Sequence, residues 1–474
     1  MKQFQLLLLI TVGLFGCITN KLPQKEDSIP LAARSFSFSH GETGDFAKTT
    51  HFFEDPQLKN LIEVALHQNS DIAIAEQRIN IAQAQFRVRH GQMLPNIAAD
   101  IESSQQRFGA YTLEGFSNED ANKNQQPNSI QIPHPVVPNY FIGLRSQWEI
   151  DLWGKLRAQK KAGYFQILAS QYGKRLIVTS IVSEVASRYY ELIALDETIM
   201  AIERNRMLQD SVLSITLVQK EAGRTTELGV QQMQAQLLRT EALAYRTKQK
   251  IVQIENELNY LLGRMPQSIG RSDTLRQNHI LNKPLAVSAQ ELLHNRPDIL
   301  QAGATLQAAG ADLKAAQAAL LPSLTFSPYI GLNSFSSSLL FNPASLTWGI
   351  LGGITTPLIN RSALRGNQNR ANAERGIAHH HYQKTIFSAF SETQTILSNR
   401  AILAQTGKIN EQEVATLHEA ISTANELYKV GYASYLEVIS AQKMAIEAEI
   451  AWIETRNELR QAEIALYRAM GGGW

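Results

Sequence analysis

The sequence predicts a mainly α-helical protein with membrane β-strands, a unit of helix, strand hairpin, very long helix and returning helix written twice. Three observations carry this. Residue pairs recur at two fixed offsets, long stretches free of proline suit helix, and four segments of about ten residues alternate apolar with polar side chains.

Lys2 and the apolar run from Phe4 to Phe15, broken by Gln5 and Thr11, open the chain. The run is too short to span a membrane as a mature helix and fits the core of a secretory signal. Leu14-Phe15-Gly16-Cys17 resembles a lipoprotein cleavage box, so residues 1–16 are expected to be removed. Cys17 is then expected to carry a covalent lipid at the head of an N-terminal segment, 17–56. It is the only cysteine, so no intrachain disulfide can form even in an oxidising compartment. Ile18 stands where inner-membrane retention favours Asp, which points to outer-membrane sorting. No later segment has about 18 consecutive apolar residues, so a membrane-crossing mature chain must cross as a β-barrel. A net charge of +2 with 19% charged residues gives no sign of a nucleic-acid footprint.

The repeat sets the organisation. Leu66-His67 and Asp71-Ile72 recur as Leu293-His294 and Asp298-Ile299, and Leu94-Pro95 as Leu321-Pro322, 227 residues on (293 − 66). Later the offset is 208 (431 − 223): Gly223 matches Gly431, Leu228 Leu436, Gln234 Gln442 and Gly263 Gly471. The repeats are placed at 57–270 and 271–474, and the shift in offset gives the first 19 extra residues (227 − 208) between Pro95 and its long central helix. Its segment from Glu102 to Pro138, rich in Gln, Asn, Ser and Pro, reads as the lengthened loop.

The first helix is expected from Gln57 to His90, ending before Pro95. The long helix is expected from Leu156 to Lys220, on the order of 100 Å at 1.5 Å per residue. Such a helix must lie outside the bilayer, packed by neighbours. After Gly223, Val230, Met233, Leu237, Thr240, Ala244, Thr247, Ile251, Ile254, Leu258 and Leu261 follow coiled-coil spacing. Val438, Ala441, Ala445, Ala448, Trp452 and Thr455 begin the second seam.

Strands are expected at about 96–106, 139–151, 323–332 and 345–356, the length of tilted membrane strands. Tyr140, Ile142, Leu144, Trp148 and Ile150 share one face, with Arg145, Gln147, Glu149 and Asp151 on the other. Four strands cannot close a barrel, since the smallest need about eight. Open edges in lipid leave backbone groups unpaired, so several copies must share one wall. Three copies would give twelve strands and gather the helices into a hollow cylinder; two or four also close topologically.

These residues resemble the TolC-type outer membrane factor family, in its NodT-like lipoprotein branch. The resemblance rests on Asp55-Pro56-Gln57-Leu58, the paired Leu-Pro sites, Arg296-Pro297-Asp298-Ile299, Asp151-Leu152-Trp153-Gly154-Lys155-Leu156-Arg157 and Gly471-Gly472-Gly473-Trp474. It implies a homotrimer with a twelve-stranded outer-membrane barrel continuous with a periplasmic α-helical barrel. A periplasmic adaptor and an inner-membrane transporter of the resistance-nodulation-division type would complete an efflux system. By the same resemblance Tyr428 and Glu437 belong to the tunnel gate, and the turns at Gly223 and Gly431 contact the adaptor. Ala433 and Ser440 depart from the family pattern, which has an arginine and a second acid there in some members. Three Glu437 carboxylates around a narrow axis would favour cations. Read physically, Glu437 also fits a solvated helix face, and both glycines fit helix C-caps.

No enzyme constellation is present: the sequence has no Gly-x-Ser-x-Gly elbow, P-loop or His-Glu-x-x-His. Adjacent residues of His379-His380-His381 point about 100° apart on a helix and do not converge on one ion. Trp148, Trp153 and Trp348 read as interfacial anchors. The expectation is an efflux duct for drugs, toxic compounds or metal ions, without cofactor beyond the lipid. The alternatives are a secretion-system component, a structural envelope lipoprotein, or a porin, which has no use for helices of such length.

Overall fold

The computed structural model describes residues 52–123, 130–271, 289–357, 359 and 361–472, all within one compact unit. The expected export signal, Cys17 and Gly473-Trp474 lie outside them. The first repeat contains α1 (Pro56–Gln68), α2 (Ser70–Gly91), β1 (Asn96–Arg107), α3 (Leu113–Lys123), β2 (Val136–Ile150), α4 (Lys155–Glu221) and α5 (Glu227–Leu261). The second contains α6 (Ala289–Asn295), α7 (Pro297–Ala318), β3 (Ser323–Ser334), β4 (Leu346–Thr355), α8 (Arg361–Val430) and α9 (Tyr435–Ala469). α4 and α8 have 67 and 70 residues, so each is about 100 Å long.

The expected helix from Gln57 to His90 is two helices, divided at Asn69. The Asn69 side chain caps α2, Oδ1 accepting from the backbone N–H groups of Asp71 (2.8 Å) and Ile72 (3.4 Å). Its Nδ2 donates to the Leu261 carbonyl at the end of α5, 2.8 Å away. A partner 192 residues distant therefore helps to set the break, and helical periodicity carries no trace of it. In the second repeat the break falls at Arg296, where the following proline disfavours helix. Arg296 Nη1 donates to the Ala469 carbonyl at the end of α9, 3.2 Å away. The two contacts are one contact duplicated, since 296 − 69 = 227 and 469 − 261 = 208.

Arg296 also holds Asp298 (2.8 Å) and Glu392 (2.9 Å), and Glu392 takes Arg468 as well (2.7 Å). Burial works to raise the Glu392 carboxyl, but the two arginines outweigh it and hold it below the usual carboxylate range. On the first repeat's side, Leu58, Ile62, Val185, Tyr189, Leu192 and Leu258 form the largest apolar core. Phe52 and Phe53 pack on Tyr467, with ring centroids 4.6 and 5.3 Å apart. Asp55 accepts from Gln57 N–H (2.8 Å) to cap α1 and takes the Tyr189 hydroxyl.

The strands form one antiparallel sheet in the order β1-β2-β3-β4. Part of the segment expected as a loop is ordered structure. β1 runs on to Arg107, β2 starts at Val136, and α3 lies between. Local hydrogen bonding accounts for α3. Thr112 Oγ1 accepts from Gly115 N–H (3.1 Å), and the Asn122 amide grips both backbone groups of Ile132 (2.8 and 2.9 Å). Trp148 Nε1 donates to the Met93 carbonyl (2.9 Å) and Trp153 Nε1 to the Pro322 carbonyl (2.7 Å), which ties sheet to helices.

The returning helices end in glycines with φ of +66° (Gly263) and +81° (Gly471). A β-carbon on either would lie 2.4 Å from a carbonyl oxygen, that of Gln68 or of Asn295. Gly263→Ala and Gly471→Ala should each cost about 1–3 kcal/mol and lower the thermal midpoint of the detergent-solubilised protein, read by circular dichroism. Unchanged midpoints in both would remove this lock from the account.

Candidate duct wall and turn end

Among the described residues, three layers of the protomer end without a partner. In the sheet, β1 and β4 each pair on one side only. Beside the sheet, α4 packs on α2 and α7, and α7 on α8, so α2 and α8 are the outer helices. Further along, α5 packs on α4, α4 on α9 and α9 on α8, so α5 and α8 are outermost. The outer helices carry exposed apolar residues seven apart: Ile74, Ile81 and Val88 on α2, Leu238, Tyr245 and Val252 on α5, Ile402 and Ile409 on α8. A spacing of seven lines up one face, the pattern by which helices pack along their length. The inner seam from Val230 to Leu261 is buried or half-buried within the protomer, so these stripes are a second, separate face.

The sheet is two-faced. The register puts Ile101, Ile142, Leu332 and Leu346 in one row and Ala99, Leu144, Ile330 and Trp348 in the next. Ile101, Ile330, Trp348, Ile350 and Ile354 on this face are exposed. The opposite face is polar, and its charge comes from one hairpin, because residues 323–355 contain no charged side chain. Arg145 contacts Asp100 (3.0 Å) and Glu102 (2.8 Å). Its guanidinium lies 4.4 Å from the centre of the Phe141 ring. Phe141 is buried across Gly143 and Gly331, where a β-carbon would come within 2.9 and 2.8 Å of its ring. Alternation assigns each of these residues a face, but only the register across the hairpin brings Asp100 and Glu102 to Arg145.

At the other extremity, Gly223 and Gly431 end the long helices with φ of +69° and +86°. Arg224 N–H reaches back to the Gln219 carbonyl (2.8 Å) and Tyr432 N–H to that of Leu427 (2.9 Å), closing each helix with a left-handed cap. Tyr428 is buried with Val212, Met233 and Val438, which brings the two turns together. Its hydroxyl donates to Thr216 Oγ1 (3.0 Å), and Thr216 donates to the Val212 carbonyl (2.8 Å). Thr216 was not singled out by any motif; only its place about two turns before the Gly223 cap hints at it. Glu437 is exposed and has a local task, for it forms a reciprocal capping box with Ser434 at the start of α9. Lys220 and Glu227 pair across the first turn instead. Ala433 packs against the Tyr428 cluster, and Ser440 is exposed. His379 and His380 have ring centroids 5.7 Å apart, and no group of three or more metal-type side chains occurs among the described residues.

A family model described as outer membrane efflux protein matches residues 61–264 and 288–472. The chain is 27% identical over 472 residues to the pyoverdine export outer membrane protein OpmQ of Pseudomonas putida, covering 99% of this chain and 97% of that one. It is 27% identical over 427 residues to SilC, a probable outer membrane lipoprotein of Salmonella typhimurium, covering 90% and 87%. The solved structure of CusC, described in terms of transmembrane channel formation, superposes with a TM-score of 0.80 at 25% identity, covering 92% and 96%.

Tyr428→Phe should loosen the turn end, at a cost of about 1 kcal/mol for the lost hydrogen bond. Hydrogen exchange should rise in peptides spanning residues 212–219 and 425–432, and Thr216→Val should do the same. Protection unchanged in both variants would show that this contact does not hold the turns together.

Proposed function

The chain belongs to the outer membrane efflux protein family, and from that premise we propose a passive exit duct whose wall is completed by three copies. It acts in the outer membrane as an efflux protein. The observation that supports the shared wall is the open protomer, with β1, α2 and α5 unpartnered on one side and β4 and α8 on the other. The two sides differ, so copies join head to tail, and a head-to-tail contact that closes makes a ring. Two copies would make an eight-stranded barrel, whose interior side chains fill. Three copies, with twelve strands, are the fewest that leave a lumen. The exposed apolar face then meets lipid and the face with Arg145, Asp100 and Glu102 lines the lumen.

The helices of about 100 Å continue the duct into the periplasm. At their turns a periplasmic adaptor would join it to an inner-membrane transporter, which hands over small molecules. Exposed Val218 and Leu228 at the first turn and Val430, Tyr432 and Leu436 at the second offer apolar contacts there. Conduction needs no catalytic group and no cofactor, so the chain is read as a duct and not as an enzyme. Cys17, lipidated, would tether each copy to the membrane.

In native mass spectrometry from detergent, the full-length protein should appear as a trimer; a stable monomer would overturn the shared wall. Cells without the protein should become more susceptible to at least one class among dyes, detergents, antibiotics and metal salts, and unchanged susceptibility to all would count against efflux. Labelled palmitate should enter the wild type and not Cys17→Ser, and equal labelling of the two would exclude Cys17 as the acceptor.

A further inference from the structure

The lengthened loop of the first repeat presents exposed apolar side chains that none of the described residues covers. Tyr111 is fully exposed, and Leu113 and Phe116 are 79% and 67% exposed. They stand on a tight knuckle. Thr112 N–H donates to the Gly109 carbonyl (3.0 Å), and a β-carbon on Gly115 would lie 2.2 Å from that oxygen. The loop between β3 and β4 presents Phe341, 75% exposed. That loop is also held firmly, with Ser345 Oγ donating to the Leu339 carbonyl (2.8 Å) and Asn342 Oδ1 accepting from Ala344 N–H (2.9 Å).

Topology says what covers them. The knuckle follows β1, one open edge of the sheet, and Phe341 precedes β4, the other edge. Both loops lie at the end of the sheet away from the long helices. Pairing β4 of one copy with β1 of the next therefore sets the Phe341 loop beside the neighbour's knuckle. Another part of each loop borders the polar face. Ile130 and Leu339 line the same recess of about 720 Å³ as Glu102, Ser104 and Asn139. We propose that Tyr111, Leu113 and Phe116 of one copy pack on Phe341 of the next, forming an apolar collar that narrows the outer mouth of the duct. This rests on the head-to-tail ring proposed above. A membrane surface is the poorer occupant, because α3 carries Glu114, Glu119 and Asp120 against Lys123 alone, and anionic headgroups would repel it.

The test uses the full-length protein with Tyr111→Cys and Phe341→Cys together, treated in its detergent-extracted form with a short bifunctional thiol reagent. On a denaturing gel the double variant should run as covalent dimers and trimers, whereas either single variant should not. A double variant that is trimeric by native mass but yields no covalent dimer overturns the collar and leaves the ring standing. A double variant that stays monomeric while the wild type is trimeric supports the contact, since it shows that the substituted residues hold copies together. A wild type that is itself monomeric overturns both the ring and the collar. As a second readout, the added emission of Phe116→Trp should be unquenched in vesicles with brominated acyl chains; quenching would put the knuckle in lipid and overturn the collar.

Discussion

A backbone N–H or C=O in hydrocarbon has no water to turn to, and each one left unpaired costs several kcal/mol. Without the shared wall proposed above, that penalty would fall on two whole strands, β1 and β4, each paired on one side only among the described residues. The same two sides carry the unpartnered helix stripes: Ile74, Ile81 and Val88 with Leu238, Tyr245 and Val252 on one, Ile402 and Ile409 on the other. Sheet and helices thus ask for the same neighbour from the same direction. The sheet's need is the stricter, because an exposed apolar stripe on a helix in water costs far less than a row of bare peptide groups in lipid.

Within the protomer, two duplicated joints relate the short helices to the returning ones. Asn69 and Arg296 occupy matching positions and reach matching carbonyls, those of Leu261 and Ala469. The chemistry has diverged while the geometry has not. The first joint is a neutral amide that caps a helix. The second is an arginine shared between two carboxylates and stationed before a proline. Gly263 and Gly471 preserve the close approach that both need.

Much of this was legible in the residues. The offsets of 227 and 208 exposed the duplication, and the absence of proline between Leu156 and Lys220 located a long helix now seen at Lys155–Glu221. Alternation separated the two faces of the sheet because period two holds whatever the strand's partners are. What stayed hidden depends on partners distant in the chain or on local hydrogen bonds that composition does not report. The break at Asn69 answers to Leu261, the ties of Arg145 to Asp100 and Glu102 follow from register, and α3 follows from Thr112 and Asn122. At the turn end, sequence alone did not show that Tyr428 meets Thr216 or that Glu437 caps its own helix.

The two turns are alike in backbone and different in side chains. One is pinned by Lys220 and Glu227, the other by Ser434 and Glu437, and Gly229 stands where the second repeat has its acid (437 − 208 = 229). Arranged around the threefold axis proposed above, they would form six tips of alternating kind. A ligand with three arms can select one kind and ignore the other. One with six arms must either tolerate both or be itself an alternation of two conformations, so pseudo-sixfold shape with only threefold chemistry constrains the stoichiometry of whatever binds there.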